Sequence, residues 1–241
     1  MSRHQYPIKD AGAPYDGFAD IFAAEAAVSA YNAHYDRPTV LGLLGDVSGR
    51  RVLDAGCGPG LYLAELKARG AEIAGFDQSA DMIRVARQRL GHTTDLRCHD
   101  LGEPLHWLDD HTVDLVLAAL VIHYVDDRVG ALRELHRVLR PSGRLVLSTS
   151  HPTADWLDSG GGYFEQRYEQ QQWSHGFTHR YWRQPLQRWT EEFTAVGFVI
   201  ERLVEHRPQA TMSQRHPAEY AKLTREPGFI AYRLAKSAAT R

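Results

Sequence analysis

The sequence Asp54-Ala55-Gly56-Cys57-Gly58-Pro59-Gly60 follows the apolar pair Val52-Leu53 without a break. An apolar strand running straight into a glycine-rich turn lets a ligand approach the backbone, because glycine has no Cβ and accepts positive φ. The helix opening behind such a turn offers N–H groups that have no partner within the helix. Asp77 stands 21 positions after Gly56 and closes the next apolar run, Ile73 to Phe76. A carboxylate there can accept hydrogen bonds from both hydroxyls of a ribose. The combination reads as a nucleoside cradle. A dinucleotide fingerprint would place its third glycine one position later than Gly60, so the spacing points away from a nicotinamide cofactor.

A second set of groups could move protons. His123 closes the expected fourth strand and His151 the expected fifth. Imidazole is neutral near pH 7 and suits a general base, although each could equally be a packed, hydrogen-bonded histidine. Tyr124 beside His123 reads more simply as a tyrosine whose hydroxyl finds a partner than as a catalytic one. His175 and His179 are four apart, but Gly176 between them and the lack of helical patterning argue against a metal pair, and no metal is expected. The only two cysteines, Cys57 and Cys98, do not make a disulfide framework; Cys57 reads as a small buried spacer in the turn.

These groups need elements to hold them. Between residues 50 and 150, short apolar runs alternate with stretches of period near 3.6: Arg51 to Leu53, Ile73 to Phe76, Leu96 to Cys98, Val113 to Ile122 and Leu145 to Leu147 are the expected strands. One intervening helix ends at Gly70. Another opens at Ser79 and ends at Gly91, and a third carries Val129, Leu132, Leu135, His136 and Leu139 on one face before Arg140-Pro141-Ser142-Gly143 stops it. A β-α-β rhythm with right-handed crossovers gives a doubly wound α/β layer. Residues 18 to 46 are helix-compatible, broken at Arg37-Pro38. After residue 151, Trp156, Tyr163, Phe164, Tyr168, Trp173, Phe177, Tyr181 and Trp182 crowd a segment containing Gly160 to Gly162; it reads as an aromatic lid or as core packing. A helix over Leu186 to Val196 and strands over Phe198 to Val204 and Phe229 to Leu234 complete the sheet.

Taken in order, Asp54 to Gly60, Asp77, His99-Asp100-Leu101, Val113 to Leu117 through His123, and Leu139 to Leu145 resemble the successive motifs of the class I S-adenosylmethionine-dependent methyltransferases. The resemblance is strongest over residues 31 to 150. It extends more loosely to a bacterial small-molecule branch through Tyr31-Asn32, Arg37-Pro38 and His151-Pro152. It implies a mostly parallel seven-stranded sheet with a reversed final hairpin, an N-terminal helical cap over residues 1–46, a methyltransferase domain over 47–241, and a lid insertion at 152–185. It further implies S-adenosyl-L-methionine as cofactor. Its contacts would be Tyr31, Arg37, Asp54, Ala55, Gly56, Gly58, Gly60, Asp77, Gln78, Met82, Asp100, Leu101 and Leu120, Asp77 taking the ribose and Asp100 the adenine. Arg37 would pair with the cofactor's carboxylate, though a surface arginine before proline is the simpler reading. The acceptor would lie among Tyr124, Trp156, Tyr163, Phe164 and Trp182, with His123 and His151 as candidate bases.

Composition narrows the rest. Of 241 residues, 43% are hydrophobic and 24% charged, an ordinary folded mix. With 28 Lys and Arg against 30 Asp and Glu, the net charge of −2 supplies no field for a polyanion, so nucleic-acid binding is not expected. The longest apolar run, Leu115 to Ile122, has eight residues where a bilayer span needs about 20, and the N-terminus lacks the apolar stretch of a secretory signal. No membrane association and a cytoplasmic location are the expectation. The oligomeric state is open, a homodimer included. The expected activity is methyl transfer to O, N, S or activated carbon of a small molecule. The alternatives are a protein or RNA acceptor, or a cofactor-binding module without catalysis.

Overall fold

The computed structural model describes residues 16–172 and 178–237. Trp173, His175 and Phe177, and the polar stretch before residue 16, lie outside the described residues. The chain opens with α1 (Ala19–Val28), then a π-helical turn (Asn32–Asp36) leading directly into α2 (Arg37–Leu44). The expected break at Arg37-Pro38 is absent. Arg37 stays helical, with φ −56° and ψ −45°, and its N–H reaches back to the Asn32 carbonyl. The wider π turn accommodates the Pro38 ring, which an α-helical interior would set against the carbonyl four residues earlier. The chain instead leaves the helix at Ser29, where ψ is 150°.

The Rossmann-like body follows: β1 (Arg51–Ala55), α3 (Leu61–Ala68), β2 (Glu72–Asp77), α4 (Ala80–Leu90), β3 (Asp95–Cys98), β4 (Val113–Ala119), α5 (Arg128–Val138) and β5 (Leu139–Ser150). Then come α6 (Pro152–Ser159), a hairpin of β6 (Arg167–Gln172) and β7 (Thr178–Arg183), α7 (Leu186–Ala195), β8 (Phe198–Glu205), α8 (Met212–Arg215), α9 (Pro217–Leu223) and β9 (Phe229–Lys236). Seven strands form one sheet in the order β3-β2-β1-β4-β5-β9-β8, parallel except for β9, which runs antiparallel to both β5 and β8. The order reverses between β1 and β4, which opens a crevice at the carboxyl ends of those strands. Helices cover both faces. Leu132 and Leu135 of α5 with Trp189 and Phe193 of α7 pack on one side, and Val40 and Leu43 of α2 with Leu66 of α3 pack on the other.

Local signals account for most boundaries. Ser79 caps α4 by accepting from the Met82 N–H at 3.1 Å, and Gly91 closes the same helix with φ 93°. Two expectations shift. The fourth strand stops at Ala119, because Leu120 turns to φ 52° and donates its N–H to the Ser148 carbonyl. A 3-10 turn over Ile122–Tyr124 follows, so His123 and Tyr124 sit on that turn and not on a strand end. The helix before β5 ends at Val138, and Leu139 already pairs with Val113 in the sheet. Among the described residues, no helix is long and apolar enough to cross a membrane.

Candidate active site

The turn between β1 and α3 is built by backbone. Gly56 and Cys57 both donate their N–H groups to the Phe76 carbonyl, at 2.8 and 2.9 Å, lashing the turn to the end of β2. Gly56 has φ 76°, and a Cβ there would lie 2.4 Å from Val121 Cγ2, inside the residue that begins the 3-10 turn. Gly58, at φ 50°, is the opposite case. A Cβ on it would meet nothing within 4 Å, and the residue lines a cavity. The glycine therefore leaves room for a ligand as well as satisfying the turn. Its N–H donates to Asp77 Oδ2 at 2.9 Å, while Ser79 N–H donates to Oδ1 at 2.9 Å. The Asp77 carboxylate is thus held in one orientation at the cavity wall. Burial raises its pKa, and those two N–H groups oppose the rise.

Asp54 lies just behind, 1% exposed, with Oδ2 buried and unpartnered. Burial, reinforced by the nearby Asp77 charge, pushes its pKa up to about 8. A buried carboxyl group with an unsatisfied oxygen is costly, and its persistence beside a glycine turn marks a place where stability has been given up.

The cavity measures about 610 Å³, within the range of ligand sites, and runs along the carboxyl ends of the strands. Of the expected cofactor contacts, Tyr31, Arg37, Gly56, Gly58, Asp77, Gln78, Met82, Asp100, Leu101 and Leu120 line it. Asp54 and Ala55 are buried in β1, and Gly60 serves as the N-cap of α3, so these three support the lining from behind. Asp100 also closes a local turn, accepting from Gly102 N–H at 2.8 Å. Arg37 is no loose surface arginine. It donates to the Ala26 carbonyl at 2.8 Å, lies 5.7 Å over the Tyr62 ring, and has a buried Nε with no partner.

Of the expected acceptor residues and bases, the structure brings only His123 and Tyr124 into the lining. His123 shares a 2.9 Å hydrogen bond through Nδ1 with Thr149 Oγ1, and its ring packs 4.2 Å from Tyr124 and edge-on to Tyr181 at 6.1 Å. His151 faces elsewhere. Its Nδ1 accepts from Thr153 N–H at 3.1 Å, capping α6, and its Nε2 donates to Glu205 at 3.1 Å. Burial lowers its pKa. Trp156, Tyr163 and Phe164 form a separate cluster beyond the lining. Trp156 Nε1 donates to the Gly161 carbonyl, the Tyr163 hydroxyl accepts from Leu186 N–H, and Phe164 is 77% exposed. Trp182 packs under Arg128 at 4.8 Å, and that arginine pairs with Glu192 at 3.1 Å.

Residues that sequence reasoning missed fill the gaps. Asp36 lines the cavity and accepts from the Tyr62 hydroxyl; its other oxygen meets His206 Nε2 at 2.9 Å across 170 positions of sequence. Asp155 and Tyr181 line the far part, from α6 and β7. No spacing rule connects these positions, since each reaches the cavity through tertiary packing. Phe22 from α1 completes the lining near Met82.

Residues 53–147 match the family described as a methyltransferase domain. Those residues form a methyltransferase domain, and S-adenosylmethionine is the cofactor that such a domain uses. The open space beside Gly58 and the unpartnered Asp54 oxygen fit a ligand of that kind. The domain is 40% identical over 103 residues to a malonyl-[acyl-carrier protein] O-methyltransferase of Erwinia billingiae, covering 42% of this chain and 39% of that protein. Across the first curated relatives the match spans between 26% and 49% of their length. In three dimensions it is similar to an S-adenosylmethionine-dependent methyltransferase of Mesorhizobium loti, with TM-score 0.69 and 24% identity over 87% of this chain and 99% of that one. It is also similar to the 1,6-didemethyltoxoflavin-N1-methyltransferase of Burkholderia thailandensis, solved with 1,6-didemethyltoxoflavin and S-adenosylhomocysteine, with TM-score 0.62 and 19% identity over 97% and 93% of the two chains.

Proposed function

We propose that this protein transfers a methyl group from S-adenosylmethionine to a small-molecule acceptor. The observation that carries the reading is one cavity reaching from the Asp77 carboxylate at the glycine turn to His123, Tyr124 and Tyr181 beneath the β6–β7 hairpin. Cofactor and acceptor can meet there without leaving the protein. When bound, the cofactor supplies a methyl group on a positively charged sulfur.

The chain's own residues do the rest. Asp77 accepts from the ribose hydroxyls, already oriented by the Gly58 and Ser79 N–H groups. Asp100, Leu101 and Met82 enclose the base, while Tyr31 and Arg37 face the amino-acid end, where the unpartnered Arg37 Nε can donate to a carboxylate. Much of the acceleration comes from holding the reactants in line, since methyl transfer needs the nucleophile behind the breaking bond at about 3 Å. His123, fixed by Thr149, lines the acceptor side, where it contacts the acceptor and orients it for the transfer. The hairpin closes the acceptor side and excludes water. Charge balance and an enclosed acceptor side favour a small molecule over RNA. The malonyl-[acyl-carrier protein] and didemethyltoxoflavin enzymes named above act on dissimilar acceptors, so their names alone do not choose one.

Thermal unfolding with S-adenosylmethionine, S-adenosylhomocysteine and NAD added separately tests the reading. A ligand at 100 times its Kd stabilises by about 2.7 kcal/mol. A rise with both sulfur nucleosides and none with NAD is expected; a rise with NAD alone would sink the proposal. Label from methyl-labelled cofactor should then enter the small-molecule fraction of a cell extract, and label found in macromolecules would move the acceptor to protein or RNA.

A further inference from the structure

At the acceptor side, where α6 meets β7, the cavity is lined by Asp155 and Asp158, one helical turn apart, together with Tyr124, Tyr181 and Gln171. Asp155 is 8% exposed, while Asp158 is open to solvent. Arg183, the charge that acts most strongly on Asp155, is engaged by the loop behind them. It donates to Ser159 Oγ at 2.9 Å and to the Gly160 and Gly162 carbonyls at 2.8 Å each, and pairs with Glu169 at 3.4 Å. The cations among the lining residues, Arg37 and Lys222, are carried by α2 and α9, and neither is among the charges that act most strongly on Asp155. The acceptor side is therefore a half-enclosed, aromatic-walled space with two carboxyl groups in its lining, and the cation that acts most strongly on Asp155, Arg183, has its N–H groups engaged by the loop behind.

We propose that this side of the cavity receives an amine, with Asp155 as the catalytic residue that holds the acceptor's ammonium group and takes its proton. This rests on the methyltransferase reading above and names its acceptor class. The ammonium nitrogen gives one proton to the Asp155 carboxylate, which frees the nitrogen lone pair. A nitrogen–carbon bond then forms as the methyl carbon's bond to the sulfonium sulfur breaks, and that bond's electron pair stays on sulfur. The methylated nitrogen leaves as an ammonium, and the proton on Asp155 passes to water. A carboxylate acceptor would instead meet Asp155 and Asp158 as like charges.

The protonation behaviour of Asp155 agrees. Burial pushes its pKa up to about 7, with Asp158 and Glu169 adding to the rise and Arg183 and the Ser150 hydroxyl opposing it. It can therefore both accept and release a proton near neutrality. The other titratable groups of the surrounding wall are Tyr181, Tyr124 and His123; burial holds Tyr181 protonated well above this range.

The test is calorimetric titration of the protein saturated with S-adenosylhomocysteine, using phenethylamine and butylamine against 3-phenylpropanoate and butanoate. The amines should bind at least about tenfold tighter than acids of matched shape, and D155N should weaken amine binding about tenfold or more while S-adenosylhomocysteine affinity holds. For the wild type, the amine stays protonated and Asp155 ionises through about 7, so affinity rises between pH 6 and 8, approaching tenfold per pH unit at the acid end. This profile decides the matter even if D155N fails to fold. Equal or tighter acid binding, no amine binding, a flat profile, or an indifferent D155N overturns the proposal. Failure of S-adenosylhomocysteine itself to bind would strike the methyltransferase reading instead.

Discussion

The wall of the cavity beneath the glycine turn is made mostly of backbone: two N–H groups on the Phe76 carbonyl, a Gly58 N–H on Asp77, and a turn whose first glycine has no room for a Cβ. The wall beneath the hairpin is made of side chains brought from the 3-10 turn, α6, β6 and β7. A backbone wall recognises what its ligands share, such as ribose hydroxyls. A side-chain wall recognises what distinguishes one ligand from another and can change without disturbing the sheet. On the first wall a substitution should strike folding or cofactor binding; on the second it should strike acceptor choice and leave the fold alone.

The largest expected effect tests the rigidity of the first wall. In G56A a Cβ would press within 2.4 Å of Val121 on a residue already at φ 76°. Strain and overpacking together should cost about 4 kcal/mol, read as a fall in the urea midpoint. Adding V121A should recover the packing part and leave the backbone part. A G56A protein of wild-type stability would show that the turn is plastic and the contrast between the walls misplaced.

The same contrast explains what could be read from the chain beforehand. The first wall was accessible because its signals are short-range: glycines that need particular dihedrals, a serine cap at Ser79, and an acid at the end of β2. The second wall was not. His123 was found, but on an expected strand that ends early, because Leu120 adopts φ 52°, a conformation its residue type does not advertise. His151 looked equivalent to His123, and only the position of Thr153 and Glu205 shows that both its nitrogens are engaged outside the cavity. The aromatic residues were noticed for their abundance. Yet Trp156, Tyr163 and Phe164 pack with each other, and the lining residue Tyr181 was merely one name in that crowd. Asp36, Tyr62 and His206 escaped because their meeting spans most of the chain.

Next in size is the buried acid behind the turn. The folded pKa of Asp54, at about 8, lies above its ordinary 3.8, so the native state holds a proton that the unfolded chain has lost, and stability falls as pH rises from about 4 to about 8. D54N stays neutral throughout. The stability of D54N relative to wild type should therefore grow by about 3 kcal/mol between pH 5 and pH 8, followed by denaturant titration at each pH. A constant difference across that range would mean that Asp54 is ionised in the fold, with a partner supplied from elsewhere.

D77A should be felt in binding more than in folding. Losing the ribose acceptor removes charge-assisted hydrogen bonds worth about 2 kcal/mol, so S-adenosylhomocysteine affinity should drop more than tenfold by calorimetry. A change within about twofold would remove Asp77 from the ribose and leave the first wall without its main polar anchor.

The smallest effect separates the two histidines. H151A deletes the side chain that accepts the Thr153 N–H at the start of α6, a cap worth about 1 kcal/mol, and should lower stability by that amount with turnover per folded molecule unchanged. H123A should do the reverse. Its ring lines the cavity and its loss leaves α6 capped, so turnover should fall while S-adenosylhomocysteine affinity holds. If instead H151A slows turnover at constant stability, α6 must move during the reaction, and its cap would join the acceptor wall as a working part. The two histidines flank the same end of the sheet, and only the direction in which each ring points assigns one to the chemistry and the other to the frame.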